Sequence, residues 1–257
     1  DPTLKNKYAM RLAEVKKKID ENANGVGTNA KRGSDEFDPT DYGAMSCSVT
    51  KKSGDTYAYA ICAPADASAM LPAIVWLHGS GEVGYNSDSF LSTGLLNVVR
   101  SWSSSGLNNF GAIIIAPILP SGDWGGKQEK VKEIIEIAKS KYNINENKIV
   151  LMGHSLGGNG VDQIGPKLSE YFSAVVMLSG YHTSPSDANY FTNIPLKGYS
   201  DSGCKSNMTS FFSKTNHSED LKHLSCSHGA VPGTAMREDA DGDKVSDLVY
   251  WMFSQNK

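Results

Sequence analysis

Hydrophobic residues fall along this chain in two kinds of pattern. Short unbroken apolar runs occupy 73–77, 111–116, 148–152, 173–178 and 194–199, with a weaker strand-like stretch at 221–224. Runs of that length without polar alternation are typical of strands buried on both faces of a parallel sheet. Between them apolar positions recur at helical spacing, most clearly Val131, Ile134, Ile135 and Ala138 within 127–142, and also in 90–102 and 245–254. Strand-helix alternation predicts an α/β domain with a doubly wound, mostly parallel sheet flanked by helices. An antiparallel hairpin over 45–62 is expected at its start. There Ser53-Gly54-Asp55-Thr56 joins two strand-like runs, and a two-residue Gly54-Asp55 turn sets Cys47 directly opposite Cys62. Upstream, Leu4, Tyr8, Leu12, Val15 and Ile19 form one stripe of an amphipathic helix over 3–20, and the polar segment 22–43 reads as an extended arm. The organisation expected is an N-terminal helix and arm, 1–43, before a catalytic domain, 44–257. The helix either packs on that domain or connects it to another module.

Composition narrows the class. With 257 residues, 39% hydrophobic and 21% charged, the chain suits a water-soluble globular protein with one large core. A net charge of −3 offers no electrostatic case for nucleic acid or an anionic membrane. No apolar run approaches the roughly 20 residues needed to cross a bilayer. A monomer is expected. The first residue is Asp1 rather than Met, which reads as a trimmed or excised form. The four cysteines read as two disulfides, Cys47–Cys62 and Cys204–Cys226, and so as a secreted or otherwise extracytoplasmic protein.

Candidate chemistry centres on Gly153-His154-Ser155-Leu156-Gly157, after the run Ile149-Val150-Leu151-Met152 and before a helix starting near Gly158. A G-x-S-x-G turn from strand to helix holds its serine in a strained conformation clear of the sheet edge, which marks Ser155 as a nucleophile. Acyl transfer also needs donors for the oxygen that becomes negative. The N–H of Leu156 would supply one, and Ser80, in the loop His78-Gly79-Ser80-Gly81-Glu82, the other. Asp201 follows the strand-like run 194–199 and would orient a histidine. Of six histidines, His78 and His154 read as structural supports, and His182 and His217 follow no suitable strand-to-loop transition. His223 lies inside the last strand-like stretch, whereas His228 lies in the loop beyond it, where an imidazole reaches the carboxyl edge of the sheet. His228 is therefore the expected base. Cys226 precedes His228 by two residues and Cys204 follows Asp201 by three, so a bond between them would staple base loop to acid loop. Tyr85, Trp124 and Tyr181 come just after strand ends and are expected to line the cleft.

The chain resembles α/β-hydrolases of the polyhydroxybutyrate-depolymerase, feruloyl-esterase and predicted-peptidase group. The resemblance covers about 44–257 and rests on His78-Gly-Ser-Gly-Glu82 with Gly84, Ala116-Pro117 with Trp124, Gly153-His-Ser-Leu-Gly-Gly158, Leu178-Ser-Gly180, Gly198-x-x-Asp201 and His228-Gly229. It implies Ser155 as nucleophile, His228 as base and Asp201 as acid, in the chain order of that superfamily. One departure is Asp239-Ala-Asp-Gly-Asp243-Lys-Val-Ser-Asp247. It is similar to calcium loops, but its glycine falls at the fourth position and the twelfth-position Glu is missing. It reads as a solvated acidic turn leading into a helix, with no metal. The expected function is hydrolysis of a carboxylic ester through an acyl-enzyme, with no cofactor. Serine peptidase and acyltransferase share the machinery, and a non-catalytic binding module is the remaining alternative. Short connections between core elements suggest an open site and a bulky substrate, such as an ester on a polysaccharide or other polymer.

Overall fold

The computed structural model describes residues 44–65, 67, 69–107 and 111–257. The helix expected over 3–20 and the arm at 22–43 lie outside the described residues. The strands are β1 (Met45–Thr50), β2 (Tyr59–Pro64), β3 (Leu71–Leu77), β4 (Ile113–Pro117), β5 (Ile144–His154), β6 (Ala174–Leu178), β7 (Leu196–Ser200) and β8 (Leu221–His223). They form one sheet in the order β1-β2-β4-β3-β5-β6-β7-β8. β2 is antiparallel to β1 and to β4, and the remaining neighbours are parallel. The hairpin register sets Cys47 against Cys62, and a disulfide joins them. Gly54 takes the left-handed conformation, φ 58°, that its tight turn requires. β5 begins earlier than its apolar run because Ile144 pairs with Leu71, across a register shift before Ala73.

The helices are α1 (Gly94–Arg100), α2 (Gln128–Lys141), α3 (Leu156–Ile164), α4 (Ala188–Asn193), α5 (Lys205–Phe212), α6 (Val231–Met236) and α7 (Asp247–Phe253). Alternate side chains of β3 enter different cores, as pleating dictates. Ala73, Val75 and Leu77 join Val131 and Ile134 of α2, Val161 of α3 and Phe211 of α5. Ile74 and Trp76 join Leu95 and Leu96 of α1, Val231 of α6 and Met252 of α7. Helices thus cover both faces, as the alternation predicted. The segment 239–247 is a turn that leads into α7. Carboxylate oxygens of Asp239 accept the N–H groups of Gly242, Asp243 and Lys244, and Ser246 Oγ caps α7 by accepting from the N–H of Val249.

The second expected disulfide is absent: Cys204 and Cys226 are free thiols. Their nearness in sequence to Asp201 and His228 misleads, because the two point into different layers. Cys204 belongs to the α2, α3 and α5 core, while Cys226 packs on the α1, α6 and α7 core.

Candidate active site

β5 ends at His154 and α3 begins at Leu156, so Ser155 alone makes the turn, at φ 57° and ψ −117°. A residue with a Cβ holds such a conformation only where its surroundings impose it. Here the Ser155 N–H donates to the Leu178 carbonyl at 2.9 Å, and its own carbonyl accepts the Asn159 N–H at 3.1 Å. The flanking glycines are obligatory. A Cβ on Gly153 would lie 2.1 Å from the Gly157 carbonyl oxygen, and one on Gly157 would lie 1.8 Å from that of Leu77. Leu156 is the first residue of α3, where N–H groups have no carbonyl within the helix to take them.

The loop after β3 lies beside this turn: a Cβ on Gly79 would be 3.4 Å from Ser155 Cβ. His78 anchors the loop from beneath. Its Nε2 accepts the Leu119 N–H at 2.9 Å, so the ring proton is on Nδ1, which donates to the Gly79 carbonyl at 2.7 Å. Burial lowers its pKa to about 4, against one backbone hydrogen bond that favours the charged form. Burial likewise raises the pKa of Glu82, although its carboxylate accepts from its own N–H and that of Gly79. Trp124 is not part of the cleft wall. It is fully buried, its Nε1 donates to the His78 carbonyl at 3.2 Å, and its ring fills the space where Gly160 lacks a side chain. Trp124 supports the loop. Tyr85 is half-buried, tilted against Phe90 at the edge of the α1-side core. Ser80 is exposed at the loop's crest.

Asp201, just beyond β7, and His228, beyond β8, meet directly. His228 Nδ1 donates to Asp201 Oδ2 at 2.6 Å. The same carboxylate accepts from Ser179 Oγ at 2.7 Å and from the Gly203 N–H at 2.6 Å. Burial alone would raise the Asp201 pKa, but the hydrogen bonds from His228, Ser179 and Gly203 outweigh it and hold the carboxyl well below the usual carboxylate range. His154 Nε2 donates to the His228 carbonyl at 2.9 Å, with the two rings 4.6 Å apart. Burial, and then the neighbouring His228, lower the His154 pKa to about 4, so His154 is a neutral support. His223 turns elsewhere, to Ser200 Oγ at 2.6 Å.

Tyr181 completes the cluster. Its Oη lies 3.4 Å from His228 Nε2, and it interacts with the side chains of Ser155 and Cys204. Tyr181 is 46% exposed. Sequence reasoning did not single out the residues that hold Tyr181 there. Asn159 Oδ1, on α3, accepts the N–H of Tyr181 at 2.6 Å, and Asn207, on α5, donates to its carbonyl at 2.6 Å. Buried Asp162 pairs with His182 at 2.7 Å and accepts the Ser186 N–H. Ser179, the donor to Asp201, is a non-glycine residue at φ 46°. The sequence hints for it were its place directly after an apolar run and within the Leu178-Ser-Gly180 motif. Among the described residues, two groups bring possible metal ligands within 4.8 Å of one another, Asp201 with Cys204 and His228, and Asp239 with Asp241 and Asp243. In the first, imidazole and carboxylate are already bonded to each other.

No family model matches the chain, and no curated protein matches it. Solved structures do. A thermostable esterase superposes with a TM-score of 0.59 at 19% identity, over 83% of this chain and 63% of that one, so the chain spans less than two thirds of that esterase. A feruloyl esterase module from Clostridium thermocellum, solved with sinapinate, gives 0.58 at 14% identity, over 88% of this chain and 95% of that one. A fluorophosphonate-binding serine hydrolase from Staphylococcus aureus gives 0.59 at 12% identity, over 82% and 99%. The chain has the α/β-hydrolase fold. In an α/β-hydrolase sheet of this kind, Ser155, Asp201 and His228 all stand beyond the carboxyl ends of parallel strands, the edge where ligands bind. Among the described residues, no helix is long and apolar enough to cross a membrane.

Proposed function

We propose that the chain is a serine-dependent carboxylic ester hydrolase that works through an acyl-enzyme. The observation that carries this reading is the 2.6 Å Asp201–His228 pair at the sheet edge where Ser155 stands in its strained turn. Ser155 Oγ attacks the ester carbonyl carbon while His228 Nε2 takes its proton, and Asp201 stabilises the resulting imidazolium. The carbonyl oxygen becomes an oxyanion held by the N–H groups of Leu156 and Ser80. Engagement of the Gly79 N–H by Glu82 favours Ser80 as the loop's donor. Collapse breaks the bond to the alkoxy oxygen, which leaves as alcohol with the proton from His228. Water, deprotonated by His228, then attacks the acyl carbon, and Ser155 leaves with its proton restored and the carboxylic acid released. No cofactor enters.

An ester on a polysaccharide or another bulky extracellular substrate suits this site, because Ser80 and Tyr181 stand exposed beside it. The Cys47–Cys62 disulfide favours action outside the cytoplasm. The test is a panel of 4-nitrophenyl and natural esters with peptides alongside. Esters should turn over and peptides should not. Ser155→Ala should lower kcat by roughly three powers of ten or more with the fold intact, and a serine-directed phosphonate should add once, at Ser155. Labelling elsewhere, or full activity in the alanine variant, would remove the reading.

A further inference from the structure

A groove of about 740 Å³ opens between α1 and α6, and its wall includes Gly229 and Ala230, the two residues that follow His228. That volume lies within the range of sites that hold a sizeable organic ligand. If the esterase reading holds, on which this inference rests, its position assigns it to one part of the substrate. His228 must hand its proton to the departing alkoxy oxygen, so the alcohol portion has to lie against the His228 turn. A groove walled by the two residues after His228 receives the alcohol portion, while Tyr181 lies beside the imidazole itself.

The lining tells what kind of alcohol fits. Asn97, Thr234 and Ser92 present exposed amide and hydroxyl groups beside apolar Val98, Leu224 and Pro232, a mixed lining that suits the hydroxyl edge and apolar face of a sugar ring. Two charged residues reach the groove, Arg237 and Glu238. Glu238 is paired with Lys222, which offsets its charge. The Arg237 guanidinium instead donates to a neutral hydroxyl, Ser101 Oγ, at 3.0 Å. A planar guanidinium with a neutral partner at the wall of the groove is suited to a carboxylate, with which it can form two parallel charge-assisted bonds. We propose that the groove between α1 and α6 is an alcohol subsite for a carboxylate-bearing sugar, a uronosyl residue of an acidic polysaccharide, and that Arg237 is its specificity determinant.

The experiment compares three acetyl esters on the whole protein: acetylated galacturonate oligosaccharide, acetylated xylo-oligosaccharide and 4-nitrophenyl acetate. The wild type should prefer the acidic oligosaccharide over the neutral one. Arg237→Gln should lower kcat/KM for the acidic ester roughly tenfold, mainly through KM, and leave the other two unchanged. Raising salt should weaken only the acidic substrate. Calorimetry on Ser155→Ala with trigalacturonate and xylotriose separates this inference from the esterase reading. Arg237-dependent binding of trigalacturonate sustains the subsite even if no ester is hydrolysed. Equal turnover of acidic and neutral esters by the wild type would overturn it. So would an equal loss on both in Arg237→Gln, or trigalacturonate binding no tighter than xylotriose.

Discussion

The turn at Ser155 is fixed by backbone packing, with glycines at 153 and 157 pressed onto carbonyl oxygens that leave no room for a Cβ. The turn at His228 is built differently. Around Gly229 a Cβ would meet nothing within 4 Å, and the loop is tied by polar bonds: Asp201 to the ring, His154 to the carbonyl, and the Leu224 N–H to the Ser200 carbonyl at 2.8 Å. Packed backbone cannot yield without moving strand and helix together. Hydrogen-bonded loops can lose one bond and keep their course, and their bonds answer to pH. The nucleophile side of the site is thus a property of the fold, whereas the base side can be altered with the fold in place.

The sharpest way to break this contrast is at the glycines. Gly157→Ala forces a methyl carbon into the Leu77 carbonyl, a backbone contact that no rotamer relieves, and should leave no stable folded protein. Gly229→Ala should change the urea unfolding midpoint by no more than about 0.5 kcal/mol equivalent. Equal effects at the two sites would erase the distinction. Next in size is Asp201→Asn. The amide cannot accept from Nδ1 and stabilise an imidazolium as the carboxylate does, so kcat should fall by roughly 10³ to 10⁴ while far-ultraviolet circular dichroism stays unchanged. A fall of less than tenfold would move the acid's role to another carboxylate.

The supports beneath the two loops are expected to titrate. His78 and His154 both have pKa values lowered to about 4 by burial, from an ordinary value of 6.5. Between those limits the unfolded chain binds protons that the folded chain refuses, so stability must fall as pH falls. The contribution is fully present above pH 6.5 and is lost by about pH 4, at most about 3 kcal/mol for each histidine. Asp201 acts in the same direction but lower, because its depressed pKa withdraws stability only below the ordinary carboxylate range. Urea midpoints measured at pH 7, 5.5 and 4.5 should therefore fall steadily. A flat profile over that window would mean that these imidazoles are not held neutral by burial.

What the sequence disclosed follows the range of the interactions involved. Strand runs, the hairpin register and the elbow depend on neighbours in sequence, and all were legible; so were the positions of Asp201 and His228, which the order of strands and loops determines. Helices α4, α5 and α6 span six to eight residues with few large apolar positions to set a period, whereas Leu95, Leu96, Val98 and Val99 mark the equally short α1. Trp124 sits after a strand as a cleft residue would, yet its indole turns inward because Gly160 on α3 leaves a space that its ring fills. Asn159 acts through a partner 22 residues away and nothing local marks it, while Ser179 is marked only by its place after an apolar run in Leu178-Ser-Gly180 and not by its partner Asp201.

The smallest expected effect is on turnover after reduction, and it separates the two cysteine pairs. The Cys47–Cys62 bond closes a loop with a sequence separation of 15 between strands at the far edge of the sheet from β7 and β8. Its loss should lower stability by about 3 kcal/mol in the chain-entropy model. Turnover at a temperature where the reduced protein stays folded should be unchanged, since no strand that carries Ser155, Asp201 or His228 adjoins that hairpin. Cys204 lies near His228, 3.9 Å from its Nδ1, but as a thiol. Burial, and then the negative charge of Asp201, raise its pKa, against a hydrogen bond from Tyr181, so it should be slow to alkylate in the native state. Cys226, partly exposed, should react first. In denaturant without reductant, two thiols per chain should titrate. A titre of none, with kcat falling on reduction before the fold is lost, would mean that a Cys204–Cys226 bond exists and that covalent linkage, rather than hydrogen bonding alone, holds the base loop against the acid loop.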